Sequence, residues 1–294
     1  MENNNLPQAQ RPVMSPLKAF NATLTNARTQ DYLQQVLGAK KASFVNNITA
    51  LVANSTALQA CEPMSLIYAC IKATALDLPL DQNLGMAHVI PYKNGKTGKQ
   101  EAQLQLGYRA FIQLAIRSGQ FQTINVNDVR EGEIIDEDII SGEIKIKRAP
   151  NRLELPIVGY VSFFSLTNGF RKMLYMTVDE MEAHGKRYSQ TYASSKDYIR
   201  NSSKWSTDFD AMAKKTAIKL LLSKYAPLSV EMRDAVKVDQ AVINESGDVE
   251  RYPDNADDVQ YQEDAHEEAR NKASEVKEAI MRAQAGAGMF PDEQ

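Results

Sequence analysis

The 294-residue chain lacks the features of a membrane, metal-binding or disulfide-stabilised protein. It has only two cysteines, Cys61 and Cys70, in sequence that reads as helical, which predicts buried thiols rather than a disulfide. No apolar run approaches the roughly 18 residues that a membrane-spanning helix needs. The polar N-terminus also lacks the basic and then apolar order of a signal peptide, so we expect a cytoplasmic protein without membrane contact.

Patterns typical of an enzyme are equally scarce. The three histidines are far apart in sequence, which argues against a zinc site. Gly95-Lys96-Thr97 resembles part of a phosphate-binding loop, but Ile90 stands where that loop needs glycine. No Ser, Cys or Thr lies in a recognisable nucleophile motif. The acidic run 136–138 could hold a divalent cation, so magnesium is possible but not required; we expect no ATP site and no catalysis.

What the chain does have is an uneven charge distribution. The formal net charge of −3 divides into +1 for residues 1–85, +6 for residues 86–225 and −10 for residues 226–294. Residues 185–224 hold nine Lys and Arg against three Asp, together with three tyrosines and the only tryptophan. Cations mixed with aromatic faces are typical of sequence-tolerant binding to single-stranded nucleic acid. A solvated basic helix face is the alternative interpretation.

Hydrophobic periodicity predicts a helical N-terminal layer followed by β-hairpins. Apolar residues at helical spacing follow Ser15-Pro16, and further helices are predicted at about 41–54 and 63–76. The period then changes to two, which predicts a hairpin with its loop at residues 93–100 and another with its turn at Asn168-Gly169.

More helices and strands are predicted in the basic middle of the chain. Residues 107–118 show a helical apolar face, and residues 121–129 alternate as a strand does. Thr177 and Glu180 have the spacing of a capping box. A long amphipathic helix is predicted over residues 207–225, with Thr207 or Asp210 as its cap.

Composition divides the chain into three parts. We expect a disordered N-terminus at residues 1–14, a packed core at residues 15–235, and a flexible acidic tail at residues 236–294. Within the tail, residues 272–283 could form a helix that folds only on a partner. Deleting the tail is therefore expected to preserve biochemical activity and to impair function in cells.

Three separated segments resemble the RecT family of phage single-strand annealing proteins, and the resemblance to RecT-like proteins of prophages of Gram-positive bacteria is close. These segments are LGMAHVIPYKN at 84–94, GYRAFIQLAIRSGQ at 107–120 and KWSTDFDAMAKKTAIKLLLSKYAPLS at 204–229. The third carries the family's Trp, Met-Ala-x-Lys-Thr and Pro-x-Ser in order. Lys219 stands where close relatives often have arginine, which keeps the charge but loses the planar fork for bidentate phosphate contact.

The resemblance implies an α+β fold, with a small antiparallel β-sheet and hairpins packed against helices. It also implies a protein that binds single-stranded DNA, anneals it to a complementary strand without ATP and holds the annealed duplex. It further implies rings or helical filaments, and work beside a phage exonuclease. The tail could contact that exonuclease or a single-strand-binding protein, and the N-terminal helices could make the filament contacts. A metal-dependent nuclease and a purely structural filament-forming phage protein are the alternatives.

The candidate DNA-binding residues are mostly cations of these segments. We expect the lysines of the last long helix to bind phosphates along a groove, and the first hairpin tip to clamp or separate bases. Trp205 either stacks on bases or anchors the helix that follows it, and its place just before the helix cap favours the anchor. The full set is Lys93, Lys96, Arg109, Gln113, Arg117, Lys186, Arg187, Lys204, Trp205, Lys214, Lys215 and Lys219.

Overall fold

A computed structural model of the protein describes residues 15–94, 97–189, 191–243, 246 and 248–251. The disorder expected for residues 1–14, the helix expected at residues 272–283 and the candidate Lys96 lie outside the described residues. Within the described part, no helix is both long and apolar enough to cross a lipid bilayer.

Helices build the N-terminal layer, as predicted. They are α1 (Pro16–Thr25), α2 (Ala27–Leu37), α3 (Lys41–Ala53), α4 (Thr56–Gln59) and α5 (Pro63–Ala75). Proline occupies the first turn of α1 and α5, where its missing N–H costs no hydrogen bond. Gly38 ends α2 with a φ of 51°, a left-handed value that favours glycine. Helix α5 is itself apolar on most sides and forms the centre of this layer.

The strands form antiparallel hairpins around one three-stranded sheet, which confirms the α+β prediction. The hairpins pair β1 (Ala87–Lys93) with β2 (Gln100–Leu106), β4 (Ile134–Asp138) with β5 (Glu143–Ile146), and β8 (Val242–Ile243) with β9 (Val249–Arg251). The sheet has the order β3-β6-β7, built from β3 (Phe121–Arg130), β6 (Ile157–Leu166) and β7 (Arg171–Thr177). The predicted turn at Asn168-Gly169 joins β6 to β7, and Gly169 has a φ of 89°.

Six more helices connect and cover these strands within the described residues. They are α6 (Tyr108–Arg117), α7 (Val178–Tyr188), α8 (Asp197–Ser202), α9 (Lys204–Thr207), α10 (Phe209–Tyr225) and α11 (Val230–Val238). The predicted capping box begins α7, with Thr177 and Glu180 each bonding the other's backbone N–H. The cap of α10 is Asp208, whose carboxylate accepts from the Ala211 N–H, so the prediction of Thr207 or Asp210 was wrong.

Helix α10 lies across the β3-β6-β7 sheet and also packs on α6. In the middle of this contact the Ser162 hydroxyl of β6 donates to the Ala217 carbonyl of α10 at 2.9 Å. The buried hydroxyl therefore has a hydrogen-bond partner within the contact, and the apolar packing around it is not interrupted. The long basic helix is therefore also the central core helix.

The packed core continues past residue 235, where composition had placed the start of the tail. Val238, Asp239, Ala241 and Ile243 are all buried. The Gln240 N–H donates to the Leu104 carbonyl of β2 at 2.8 Å, which ties this segment to the first hairpin. The acidic average of residues 236–294 hid the boundary, because composition does not distinguish a buried carboxylate from solvated ones.

Trp205 is a core residue at the junction of α7, α9 and α10. It is only 5% exposed, and its ring stacks on Tyr192 and meets Phe209 edge-on, with ring centroids 5.9 and 5.5 Å away. A Cβ added at Gly185 would lie 2.8 Å from the indole ring, so this approach requires glycine. The indole faces are covered by protein, which agrees with the anchor interpretation and corrects the inclusion of Trp205 among DNA-contacting residues.

Replacing Trp205 with alanine should therefore lower the free energy of unfolding by about 3–5 kcal/mol, the usual cost of truncating a buried aromatic ring. Urea denaturation followed by circular dichroism measures this change, since the variant has no tryptophan fluorescence. Tyr198→Ala, at an aromatic side chain that is 73% exposed, is the matched control and should change stability by less than about 0.5 kcal/mol. A stable Trp205→Ala protein that has lost DNA binding would instead support base stacking.

Candidate nucleic-acid interface

The three candidate lysines of α10 have different surroundings. Lys215 is 5% exposed, and its Nζ donates to Oδ1 of Asp239 at 2.8 Å. Lys219, one turn later, donates to Oδ2 of the same carboxylate at 2.9 Å and stays partly exposed. Lys214 faces another direction and donates to Asp210 at 2.6 Å. Of the three lysines predicted to bind phosphates, Lys215 is therefore buried, and Lys214 and Lys219 are only partly exposed.

Asp239 is fully buried and holds these two lysines together. Its Oδ1 also accepts the Leu106 backbone N–H at 2.9 Å. Burial alone would raise the pKa of Asp239, but the charges of Lys215 and Lys219 hold that pKa below its usual value. The next residue, Gln240, has a φ of 65°, which a residue other than glycine seldom adopts. We call Asp239, Lys215 and Lys219 the buried ion cluster.

The buried ion cluster lies where the three motif segments meet. Leu106 ends β2 and is followed by Gly107, the N-cap of α6. A Cβ at Gly107 would lie 2.1 Å from the Gly85 carbonyl oxygen, so the first two segments touch through their backbones. Arg109 adds a hydrogen bond from its guanidinium to the Leu84 carbonyl at 3.3 Å. Segments distant in sequence thus form one site.

Two partly buried histidines lie near cations of α7, α9 and α10. Burial lowers the pKa of His88 in β1, and Lys215 and Lys204 lower it further. Burial likewise lowers the pKa of His184 in α7 to about 4, with Lys219, Arg187 and Lys224 adding to the effect. Both imidazoles are therefore neutral near pH 7 and leave the surrounding cations as the local charge.

Of these cations, Arg187, Lys204 and Lys224 are exposed and Lys219 is partly exposed. We call these four residues the α10 basic surface. Lys224 was not among the sequence-predicted site residues, although it belongs to the same basic stretch. Lys224 could have been identified from its position in the last turn of α10, where cations are favoured.

Lys214 belongs to a separate ionic network on the β3 side of α10. Its Nζ lies 3.9 Å from Asp128, whose carboxylate also pairs with Arg130 and Arg152 at 3.0 Å. Burial would raise the pKa of Asp128, but the hydrogen bond from Arg130 and the charge of Arg152 hold it below its usual value. Arg152 also pairs with the buried Glu133 at 2.8 Å. This network binds β3 to the segment before β6, and no sequence pattern predicts it.

The α6 stripe of Arg109, Gln113 and Arg117 is partly committed to structure. Arg117 donates to the Leu76 carbonyl at 2.7 Å and lies 3.6 Å from Asp77. Gln113 lies between the two arginines on the helix and is partly exposed. The two arginines tie α6 to the segment between α5 and β1. Arg109 itself remains exposed and available for further contacts.

The remaining candidates lie at the surface. Lys93 is exposed at the end of β1, and Lys99 is exposed on the other side of that loop. Lys186 pairs with Glu182 one turn earlier at 3.0 Å, and the guanidinium of Arg187 lies 5.3 Å from the centre of the Tyr188 ring. Such exposed pairs are weak and exchange readily for other partners.

Among the described residues, no group of three or more His, Cys, Asp or Glu side chains is placed to hold a metal ion. In the acidic run considered for a cation, Asp136 instead pairs with Lys145 at 2.7 Å. Asp138 accepts hydrogen bonds from the Ser141 hydroxyl and the Ile140 N–H. These contacts lower the pKa of both carboxyl groups.

Comparison with known proteins identifies relatives over most of the chain. The chain matches the RecT family over residues 42–275, a range that contains all three motif segments and Asp239. It is 37% identical over 235 residues to the uncharacterized protein YqaK of Bacillus subtilis strain 168, covering 79% of this chain and 77% of that protein. It is 33% identical over 186 residues to Protein RecT of Escherichia coli K12, covering 63% of this chain and 65% of that protein.

Replacing Asp239 with asparagine should leave the cations of the buried ion cluster without a counter-charge. We expect the free energy of unfolding to fall by about 3–5 kcal/mol, the usual cost of an uncompensated buried charge. Urea denaturation at pH 7 measures the change. Asp234→Asn, at an exposed carboxylate of α11, is the matched control. Equal stability of the two variants would contradict the role given to Asp239.

The same carboxylate should make stability depend on pH. Because the folded pKa of Asp239 lies below the roughly 3.9 of an unfolded aspartate, its contribution is complete above about pH 4 and is lost as pH falls through the folded pKa. The difference in unfolding free energy between wild type and Asp239→Asn should therefore shrink on acidification. A constant difference down to the acid transition would show that the Asp239 charge is not responsible.

Truncation should separate the core from the tail at a different place than composition indicated. A chain ending at Ala235 lacks Asp239 and should lose at least about 3–5 kcal/mol of stability. A chain ending at Arg251 keeps the buried ion cluster and should unfold at the same temperature as the full chain. Thermal denaturation followed by circular dichroism compares them. Equal stability of both truncated chains would show that residues 236–251 are dispensable.

Proposed function

The chain belongs to the RecT family, and from that premise we propose that it binds single-stranded DNA and anneals complementary strands in recombination. The proposal includes independence from ATP, no required metal ion and no bond-breaking chemistry. The α10 basic surface is the observation that carries it. Cations without a convergent reactive group suit binding of a polyanion rather than catalysis.

The α10 basic surface would contact phosphates. Arg187, Lys204 and Lys224 are exposed, and Lys219 reaches solvent while bonded to Asp239. Phosphate contacts position a strand without reading its sequence, so any complementary pair could be joined. Neutralising phosphate charge also lowers the repulsion between two strands, which is the main electrostatic obstacle to annealing.

The buried lysine has a supporting role in this mechanism. Lys215 is enclosed with Asp239, so the phosphate contact predicted for it is not part of the proposal. It fixes the turn of α10 from which Lys219 projects, because both lysines donate to the same carboxylate. Lys214 acts in the same way on the β3 side.

Other exposed cations extend the proposed path. Arg109 at the start of α6 and Lys93 at the end of β1 belong to segments that meet the buried ion cluster. Lys93, with Lys96 in the same loop, is proposed to hold the strand or separate bases at the hairpin tip. Gln113, Arg117 and Lys186 are proposed as secondary contacts, because each also has a structural partner or lies partly buried.

The protein is proposed to act as an oligomer, in a ring or a filament that holds the annealed duplex. Assembly aligns many basic surfaces along one strand and gives cooperative binding. We also propose that the acidic residues from 252 onward contact partners in the cytoplasm. Candidates are a phage exonuclease and a single-strand-binding protein, both of which act on the same DNA ends.

Annealing is tested by mixing complementary fluorescently labelled oligonucleotides with the full chain, without ATP or magnesium, and imaging the product by electron microscopy. We expect faster duplex formation than without protein, and protein assemblies on the duplex. No acceleration, or acceleration only with ATP, would refute the proposal. Strand cleavage on adding magnesium would indicate a nuclease, and assembly unaffected by DNA would indicate a structural filament protein.

Removing single cations should weaken DNA binding in a way that salt reveals. Lys204→Ala and Lys224→Ala should each lower the affinity for a labelled single-stranded oligonucleotide. Each should also reduce the slope of log affinity against log salt by roughly 0.7 per lost phosphate contact. Fluorescence anisotropy at several salt concentrations measures both. Lys18→Ala, at an exposed lysine of α1, is the matched control, and a loss no greater than this control would contradict the assignment.

A further inference from the structure

The tip of the β4–β5 hairpin exposes an apolar surface that the proposed DNA path does not use. Ile139 is 88% exposed and Ile140 is 97% exposed, and Ile135 on β4 is 63% exposed. Adjacent branched aliphatic side chains are unfavourable in water, because burying each of them would lower the free energy of the protein. Apolar patches of this kind mark interaction surfaces.

The charge of the hairpin restricts what can bind there. Residues 134–146 contain four carboxylates and one lysine, a formal charge of −3. The phosphates of DNA and of anionic lipids would be repelled by this surface. The tip therefore fits a protein surface that is apolar and basic.

Such a surface lies between α2 and α3. A groove of about 370 Å³ is lined there by the small or apolar residues Gly38, Ala39, Ala42 and Val45, and by the polar side chains of Lys41, Gln30, Gln34 and Asn46. None of its lining residues is acidic. Residues 27–53, which span both helices, carry three cations and one carboxylate, a formal charge of +2. We call this site the α2–α3 groove.

We propose that the β4–β5 hairpin of one protomer places Ile139 and Ile140 in the α2–α3 groove of a second copy of the chain. Opposite charge would orient the approach and the isoleucines would be buried in the contact. Because the two surfaces differ, a pair of bound copies still has one free hairpin and one free groove. Further copies can therefore add head to tail and form rings or filaments. The inference rests on the oligomer proposed above and assigns its interface.

A second cleft suits the hairpin less well. It has a volume of about 420 Å³ and is lined by Phe163, Phe170, Arg171 and Lys172, but residues 141–145 of the hairpin itself form one wall. Both cations already have partners in that wall, since Arg171 pairs with Glu143 at 2.9 Å and Lys172 donates to the Ser141 carbonyl at 2.7 Å. A neighbour's tip in this cleft would bring two acidic hairpins side by side. Their like charges oppose that arrangement, and the α2–α3 groove is free of this cost.

Self-association of the full chain tests the hairpin. Ile139→Ser with Ile140→Ser removes the apolar tip without changing charge and touches no core residue. We expect self-association at least about tenfold weaker than wild type, measured by sedimentation velocity over a concentration series without DNA. Leu153→Ser, at a leucine that is 84% exposed, is the matched control and should assemble as wild type does. Unchanged assembly of the double variant, or a wild type that stays monomeric, would overturn the proposal.

Cysteine cross-linking tests the groove. A chain with Ile140→Cys and Ala42→Cys should form a ladder of disulfide-linked oligomers under mild oxidation. The native thiols give little background, because both are buried and burial raises the pKa of Cys61 to about 11. Ile140→Cys with Phe170→Cys is the comparison. Cross-linking only in the Phe170 variant, or in neither, would overturn the groove assignment.

Binding to a short single-stranded oligonucleotide distinguishes a protein contact from a DNA contact. The Ile139→Ser, Ile140→Ser protein should bind it with wild-type affinity, because the α10 basic surface is intact. Loss of this binding with assembly unchanged would place the hairpin on DNA and overturn the interface. Failure of wild type to anneal would refute the proposed function alone, since the assembly and cross-linking measurements use no DNA.

Discussion

The structure depends on one buried carboxylate. Asp239 compensates Lys215 and Lys219 and accepts the last N–H of β2. Without it, α10 could not bury a lysine against the first hairpin except at a cost of several kcal/mol. The same group thereby fixes α10 on the central sheet and aligns the start of α6. Every element that contributes an exposed cation to the α10 basic surface is attached to this framework.

Basic residues in this protein therefore serve two purposes that their charge alone does not distinguish. Lys214 and Lys215 are largely enclosed, pair with carboxylates and determine where α10 lies. Lys204 and Lys224 reach solvent and contribute charge to the surface. Trp205 belongs with the first group, because α7 and α10 pack around it. A surface proposed to hold a long flexible polyanion benefits from such a rigid base.

Local signals predicted most of the fold. The Asn168-Gly169 turn, the capping box at Thr177 and the change of period after α5 each depend on neighbouring residues, and all three were confirmed. The buried ion cluster could not be predicted, because Asp239 lies 20 or more residues from either lysine and in an acidic region. The boundary at residue 235 was wrong for the same reason. Charge patterns identified the basic helix, but only packing revealed which cations face solvent.

The hydrogen bond between Leu106 and Asp239 joins residues 133 positions apart. This separation affects the order in which parts of the core can pack during synthesis. During synthesis β2 and α10 leave the ribosome well before the carboxylate that fastens them together. The lysines of α10 remain hydrated until residue 239 emerges, since burying them earlier would leave their charge uncompensated. Closure of such a long loop is also slow. The core is thus completed late, after nearly all of its other elements have been made.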